Sequence, residues 1–162
     1  MTKDPFRQTD DHAREIARGL LAQMRHAVLG TLDPDTGIPL LTRIAVQLDG
    51  DGTPLALLSG LASHTRALKA DDRAGLMVTA LDPGKGDTMT HARLSVQARA
   101  RLAPPDPERR ARWLQQDPKA KVYIDLPDFN FWRIEPVSGL LNAGFAQAFK
   151  LLPSDMLTPP TS

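Results

Sequence analysis

Between Leu40 and Ser59 the chain carries a strict alternation, a tight reversal and a second apolar run. Leu40, Thr42, Ile44, Val46 and Leu48 fall on one side of an extended segment, and Leu41, Arg43, Ala45 and Gln47 on the other. Asp49-Gly50-Asp51-Gly52 follows, and Asp-Gly pairs accept the positive φ that short hairpins demand. The run from Pro54 to Ser59 must therefore return antiparallel. Strands joined by so short a turn cannot open a βαβ ladder, so a parallel sheet is excluded for this part of the chain.

The flanking segments extend the same pattern. Ile16, Leu20, Leu21 and Met24 recur at helical spacing between Asp10 and Arg25, with acids early, where the helix dipole favours them. Ala27–Leu32 reads as a strand ending at Asp33-Pro34-Asp35-Thr36-Gly37. Ser63–Ala70 reads as a short helix with Ser63 as its cap, Ala74–Ala80 as a strand and Leu81–Thr90 as a loop. Arg93–Leu102 alternates cleanly, and Asp106-Pro107 opens a helix to about Gln116. Asp117-Pro118 opens another. Phe129–Glu135 is a strand that can continue past Pro136 to Asn142, and the residues after Gly144 read as a last helix to about Leu151. The expectation is one α+β domain over 1–152, an antiparallel barrel of about six strands flanked by short helices, with 153–162 as a loose tail.

Composition narrows the function classes. Twenty Lys and Arg against nineteen Asp and Glu leave a net charge of +1, too small a surplus for a chain that wraps nucleic acid. Arg99, Arg101, Arg109, Arg110 and Arg112 form a local basic run, read as a solvated face. There is no cysteine, which excludes disulfides, thiolate metal sites and thiol nucleophiles and suits a reducing cytoplasm. No apolar run approaches the ~20 residues that cross a bilayer, and Met1–Asp11 lacks the apolar core of a secretion signal, so a cytoplasmic protein without membrane partners is expected.

Several motifs fail on inspection. The Asp49-Gly50-Asp51 run has Pro54 and Gly60 where a calcium loop needs glycine and glutamate. Gly84-Lys85-Gly86 lacks the hydroxyl residue that follows a P-loop lysine, and His12, His26, His64 and His91 share no metal-ligand spacing. One constellation survives. Arg43 is followed on its own face by small Ala45, and one hairpin away Ser59 ends a strand just before Ser63-His64-Thr65 opens a helix. Hydroxyls and free amides at a helix start, opposed by a guanidinium, suit a phosphate monoester, and Ala45 lets a flat ring approach the backbone. The plainer reading is that Ser63 only caps its helix, Arg43 meets solvent or an acid, and His64 is a surface residue.

The order of these segments resembles the flavin-binding split-barrel family of pyridoxamine 5'-phosphate oxidase relatives, and within it the short haem-utilisation-like flavoproteins. The resemblance rests on Thr42-Arg43-Ile44-Ala45-Val46, Leu58-Ser59-Gly60-Leu61-Ala62-Ser63-His64-Thr65-Arg66, Arg93-Leu94-Ser95-Val96-Gln97, Asp128-Phe129-Asn130-Phe131-Trp132 and Ala143-Gly144-Phe145. It implies a homodimer with FMN in clefts at the subunit interface. By that likeness Arg43, Ser63, His64 and Thr65 hold the phosphate with help from Ser59, and the backbone of Ile44, Ala45 and Val46 lies along the ring. Arg93 reaches the cofactor, and Asn142 and Gly144 close over it. Thr65 stands where the oxidases proper carry a second basic residue, and their C-terminal Arg-His pair is missing, so pyridoxamine phosphate is not the expected substrate. The implied function is an FMN-dependent oxidoreductase passing hydride or electrons to a small molecule. The alternatives are the same dimer holding FMN or haem without turnover, and a cofactor-free barrel that acts through its arginine-rich face.

Overall fold

The computed structural model describes residues 4–157. Ten segments form the frame: β1 (Phe6–Arg7), α1 (Asp11–Gln23), β2 (His26–Leu32), β3 (Pro39–Leu48), β4 (Pro54–Ser59), α2 (Ser63–Ala70), β5 (Arg73–Thr79), β6 (Arg93–Leu102), α3 (Pro107–Gln116) and β7 (Phe129–Asn142). A short strand β8 (Ala148–Leu151) and a helical turn α4 (Pro153–Met156) follow. β2, β3, β4, β7, β6 and β5 pair in that order, each antiparallel to the next, and β5 pairs back to β2. The result is a closed six-stranded antiparallel barrel, α+β in class, with β8 and β1 added beyond β7.

Closure depends on β7. Of its 14 residues, those from Trp132 to Asn142 pair with β6, while the first five meet β4 and the last four meet β8. Pro136, which has no N–H to give a ladder, sits where the register shifts opposite Gln97 and Ala98. The alternation then resumes. Inward residues such as Leu29, Ile44, Val46, Leu76, Leu94, Val96, Ile134 and Leu141 fill the barrel, and α1 covers one opening with Ala13, Ala17, Leu20 and Leu21. Asp10 caps α1, its carboxylate accepting from the Ala13 amide at 2.8 Å. A satellite cluster of Leu55, Leu57, Trp113, Ala120 and Ile124 fastens α3 outside β4.

The hairpin after β3 does more than turn. Asp49 is buried, with its side chain 4% exposed, and takes hydrogen bonds from Arg109 and Arg112 on α3 and from Arg133 on β7. Burial alone would push this carboxyl up. The Arg109 guanidinium, the Gly50 amide and Arg133 outweigh it and hold the pKa below the ordinary carboxylate range. Arg109 is itself buried, which corrects the expectation that the basic run is a solvated face. Arg99 pairs with Asp72, Arg101 with Glu135 and Arg110 with Asp125, so that charge is neutralised locally.

Four further corrections follow from tertiary pairing. The segment after Gly144 is the strand β8, because the outer edge of β7 offers it a ladder. The residues after Pro118 form a five-residue 3-10 turn. Ala62, not Ser63, is the N-cap of α2, with no side-chain cap. Pro153–Met156 is no loose tail: Asp155 pairs with Arg14 at 2.7 Å and Met156 is buried, while 158–162 lie outside the described residues. Among the described residues no helix is long and apolar enough to cross a membrane.

Asp49→Asn leaves three guanidiniums facing a neutral group, and breaking a buried pair in this way costs about 3–5 kcal/mol. Denaturant unfolding at neutral pH should read that loss. The folded-state pKa of Asp49 is depressed, so its contribution is present above the unfolded value of about 4 and fades as pH falls through the folded one. The variant's stability should accordingly decline less steeply in acid than that of the wild type.

Candidate functional site

The barrel is split beside β3. Its pairing with β4 covers only Val46, Gln47 and Leu48, so Pro39–Ala45 is bonded to β2 alone. The Val46 amide donates to Arg25 O on the β2 side. Since alternate residues send their amides to opposite neighbours, Arg43 and Ala45 present theirs to the open edge. Ile44 and Val46 are 4% and 1% exposed and offer a ligand no side chain.

Arg43 and Ala45 stand on the outer barrel face, and Arg43 has no hydrogen-bonded or ion-paired partner among the described residues. Thr42, on the opposite face of the strand, bonds His64 at the start of α2 (Thr42 Oγ1 to His64 Nδ1, 3.0 Å). Burial holds the His64 pKa below its ordinary value and favours the neutral ring. Arg43 and the α2 start thus flank the same stretch of β3 from its two sides.

The polar groups at that helix start are largely engaged. Thr65 is 2% exposed, and its hydroxyl donates to Ser59 O at 2.6 Å. Ser59 Oγ donates to the Asp128 carboxylate at 2.7 Å and accepts from the Leu61 amide. Gly60 donates its amide to Asp128 O at 2.6 Å, and a Cβ there would lie 3.1 Å from that oxygen, so a larger residue would have to push the two segments apart by a few tenths of an ångström. Arg66 is paired with Asp35. The exposed Ser63 hydroxyl remains, together with the Ser63 and His64 amides, which lie too early in the helix for an intrahelical partner. Asp128 belongs to a segment that carries the family resemblance, but its contact with Ser59 has no signal in the sequence. It reaches Ser59 only because β4 pairs with the start of β7.

The other expected residues gather elsewhere on the same outer face. Arg93 and Asn142 are direct cross-strand partners and line a cleft of about 270 Å³ with Met77, Ser95 and Leu140. Arg93 donates to Met89 O at 2.8 Å, and Asn142 Oδ1 accepts from the Gly144 amide at 3.2 Å. Gly144 has φ +143°, a conformation that side chains disfavour. Arg43 is opposite Val28, Val28 opposite Met77, Met77 opposite Ser95 and Ser95 opposite Leu140. Along this row Val28, 37% exposed, adjoins the unpaired guanidinium, Met77, 42% exposed, stands one strand further, and Leu140, 50% exposed, follows beyond Ser95 on β7. A larger cavity of about 580 Å³ between α3 and the start of β7 contains none of the expected residues. Among the described residues no three His, Cys, Asp or Glu side chains cluster as a metal site.

Replacing Thr65 with valine removes a buried hydroxyl and leaves Ser59 O without its donor. The expected cost is about 0.5–1.5 kcal/mol, measured by denaturant unfolding. In an NMR titration the His64 ring should protonate below the ordinary value of about 6.5.

Comparison with known proteins adds to this geometry. The chain is 33% identical over 115 residues to the non-canonical heme oxygenase HOZ, chloroplastic, of Arabidopsis thaliana, covering 70% of this chain and 34% of that protein. The heme binding protein from Mycobacterium smegmatis superposes with a TM-score of 0.81 at 27% identity, over 89% of this chain and 59% of that one. A further solved structure at 69% identity gives a TM-score of 0.88 over 94% of this chain and 100% of its own. The chain therefore spans about a third of the curated relative and less than two thirds of the mycobacterial protein. Residues 13–142 match the profile of the pyridoxamine 5'-phosphate oxidase family, and the chain belongs to that family.

Proposed function

We propose that the chain binds haem as a homodimer, the ring lying on the outer barrel face beside the open edge of β3 and a second copy covering it. The observation that supports this reading is an exposed apolar row that starts at Val28, next to the unpaired Arg43, and continues through Met77 toward Leu140. Ala45, Gly30 and Gly75 keep neighbouring positions low, so a flat macrocycle can approach the sheet. An apolar face of this kind is costly in water and calls for a cover. Leu41 and Ile38, 69% and 65% exposed, belong to β3 and the turn before it and would lie under the same cover.

Arg43 is suited to an acidic arm of the ring, a singly charged carboxylate. Haem would supply a redox-active iron there, while Arg43 would hold a carboxylate arm and the apolar row would orient the ring and shield it from water. The names of the relatives at 33% and 27% identity point in the same direction.

FMN is the second reading, and a specific arrangement favours it: Arg43 and the free amides of Ser63 and His64 flank one strand beside the Ser59 hydroxyl. Against it, a phosphate monoester brings about −1.5 to −2 charges at neutral pH. Asp128 already places a carboxylate on Ser59, and the Thr65 hydroxyl is spent on Ser59 O. On the flavin reading the protein is an oxidoreductase whose redox step belongs to the cofactor.

Titration of the purified protein with ferric haem and, separately, with FMN distinguishes the two. The expected result is a saturable shift of the haem absorption band at one ring per protomer, with no quenching of FMN fluorescence. Tight FMN binding without haem binding would reverse the assignment. Arg43→Ala removes a charge-assisted contact worth about 1.5–3 kcal/mol and should weaken haem binding at least tenfold. Leu140→Glu puts a charge into the covered face, so sedimentation should move from dimer to monomer.

A further inference from the structure

Resting on the haem reading, we infer that His26 is the side chain that ligates the iron. His26 opens β2 and is exposed, with no hydrogen-bonded partner among the described residues. It is opposite Ala45 on β3 and two residues along β2 from Val28, the partner of Arg43. It therefore belongs to the same outer face as the unpaired guanidinium and lies diagonal to it, ~7–8 Å away between Cα atoms.

On its other side His26 lines a cavity of about 500 Å³ whose walls include Leu20 and Met24 from α1 and Val78, Ala80 and Leu81 at the end of β5. That cavity falls within the range of ligand sites, ~300–1,000 Å³. Continuing the β2–β5 register from Val28 opposite Met77 brings His26 opposite Thr79, which also lines the cavity. The outer face then carries a cation on β3, an imidazole on β2 and the exposed thioether of Met77 on β5, while the hollow, walled by the buried Leu20, Met24 and Val78, opens beside them at the end of the barrel. A ring with carboxylate arms at one edge, iron at its centre and hydrocarbon at the other edge asks for groups of those kinds. Arg25 also lines the hollow and is held by Met24 O, and Asp82 at its rim lies 3.8 Å from His91 Nδ1.

The other histidines are placed less well. His64 bonds Thr42, which lies on the face of β3 opposite Arg43, so its ring is on the other side of the strand from the guanidinium. His12 is at the opposite end of α1, and the 11 residues from it to Gln23, where the helix ends, amount to about 16 Å of rise. His91 has a side chain only 20% exposed and follows the 3-10 turn Thr88–Thr90, away from β2 and β3 in the chain. Imidazole is the commonest protein ligand for haem iron, and an exposed residue at the start of a strand can be changed without loss of core packing.

The test uses the full chain loaded with ferric haem and read by visible absorption and electron paramagnetic resonance. Wild type should give the signature of a histidine-ligated ferric haem. His26→Ala should retain its fold by circular dichroism, lose that signature and bind haem more weakly by more than about tenfold, the lower bound even for outer-shell partners of a metal. Added imidazole should restore the signature in His26→Gly, and His12→Ala should leave it unchanged. A His26→Ala protein that binds haem with the wild-type signature would overturn the ligand assignment and leave the haem reading intact. A wild-type chain that takes up no haem would overturn both.

Discussion

Barrel closure rests on β7, which must satisfy backbone donors and acceptors toward β6, β4 and β8 within one segment. A strand can serve only two neighbours at any one point, so β4 has to give way where β8 begins. The register shift at Pro136 falls at this changeover, where the absent N–H costs no ladder bond. Because β4 follows β7, it diverges from β3 beyond Val46. The open edge beside Arg43 and Ala45 is a consequence of that divergence. The split is a by-product of closing the barrel.

The Asp49 cluster keeps this geometry rigid. One buried carboxylate collects guanidiniums from α3 and β7 and so joins the β3–β4 hairpin to the neighbouring strand and to the helix outside it. At the opposite end of β4, Ser59 and Gly60 are tied to Asp128, and Thr65 is tied to Ser59. β4 is therefore anchored at both ends, by charge at one and by neutral and charge-assisted hydrogen bonds at the other. The same bonds that fix the α2 start also occupy hydroxyls that an incoming phosphate would need. Structural order and phosphate affinity compete there, whereas the outer face carries no such conflict.

Much of this was legible in the residues. The alternation around Arg43 and the Asp-Gly reversal dictate an antiparallel hairpin, since neither feature tolerates another geometry. Asp10 and Asp106 mark helix starts that the structure contains, because a cap acts within one turn. Local rules failed where partners were distant. Phe145, Phe149 and Leu152 have helical spacing, yet a free edge of β7 offered Ala148–Leu151 more hydrogen bonds as a strand. Arg109 has the look of a surface cation until Asp49, 60 residues earlier, buries it. Asp128 is unremarkable until β4 and β7 pair.

The sequence by itself determined the strand faces, the tight turns and the identity of the side chains available to a ligand, all of which follow from periodicities and caps spanning a few residues. Only the tertiary structure decided which of those side chains remain free. Arg43, His26 and Met77 are left unpartnered on one outer face, while Ser59 and Arg109 are consumed by Asp128 and Asp49, 69 and 60 residues away in the chain, and Thr65 by the strand end that Ser59 forms. Whether a polar group is free depends on neighbours brought in from far along the chain, and strand pairing, not local pattern, selects those neighbours.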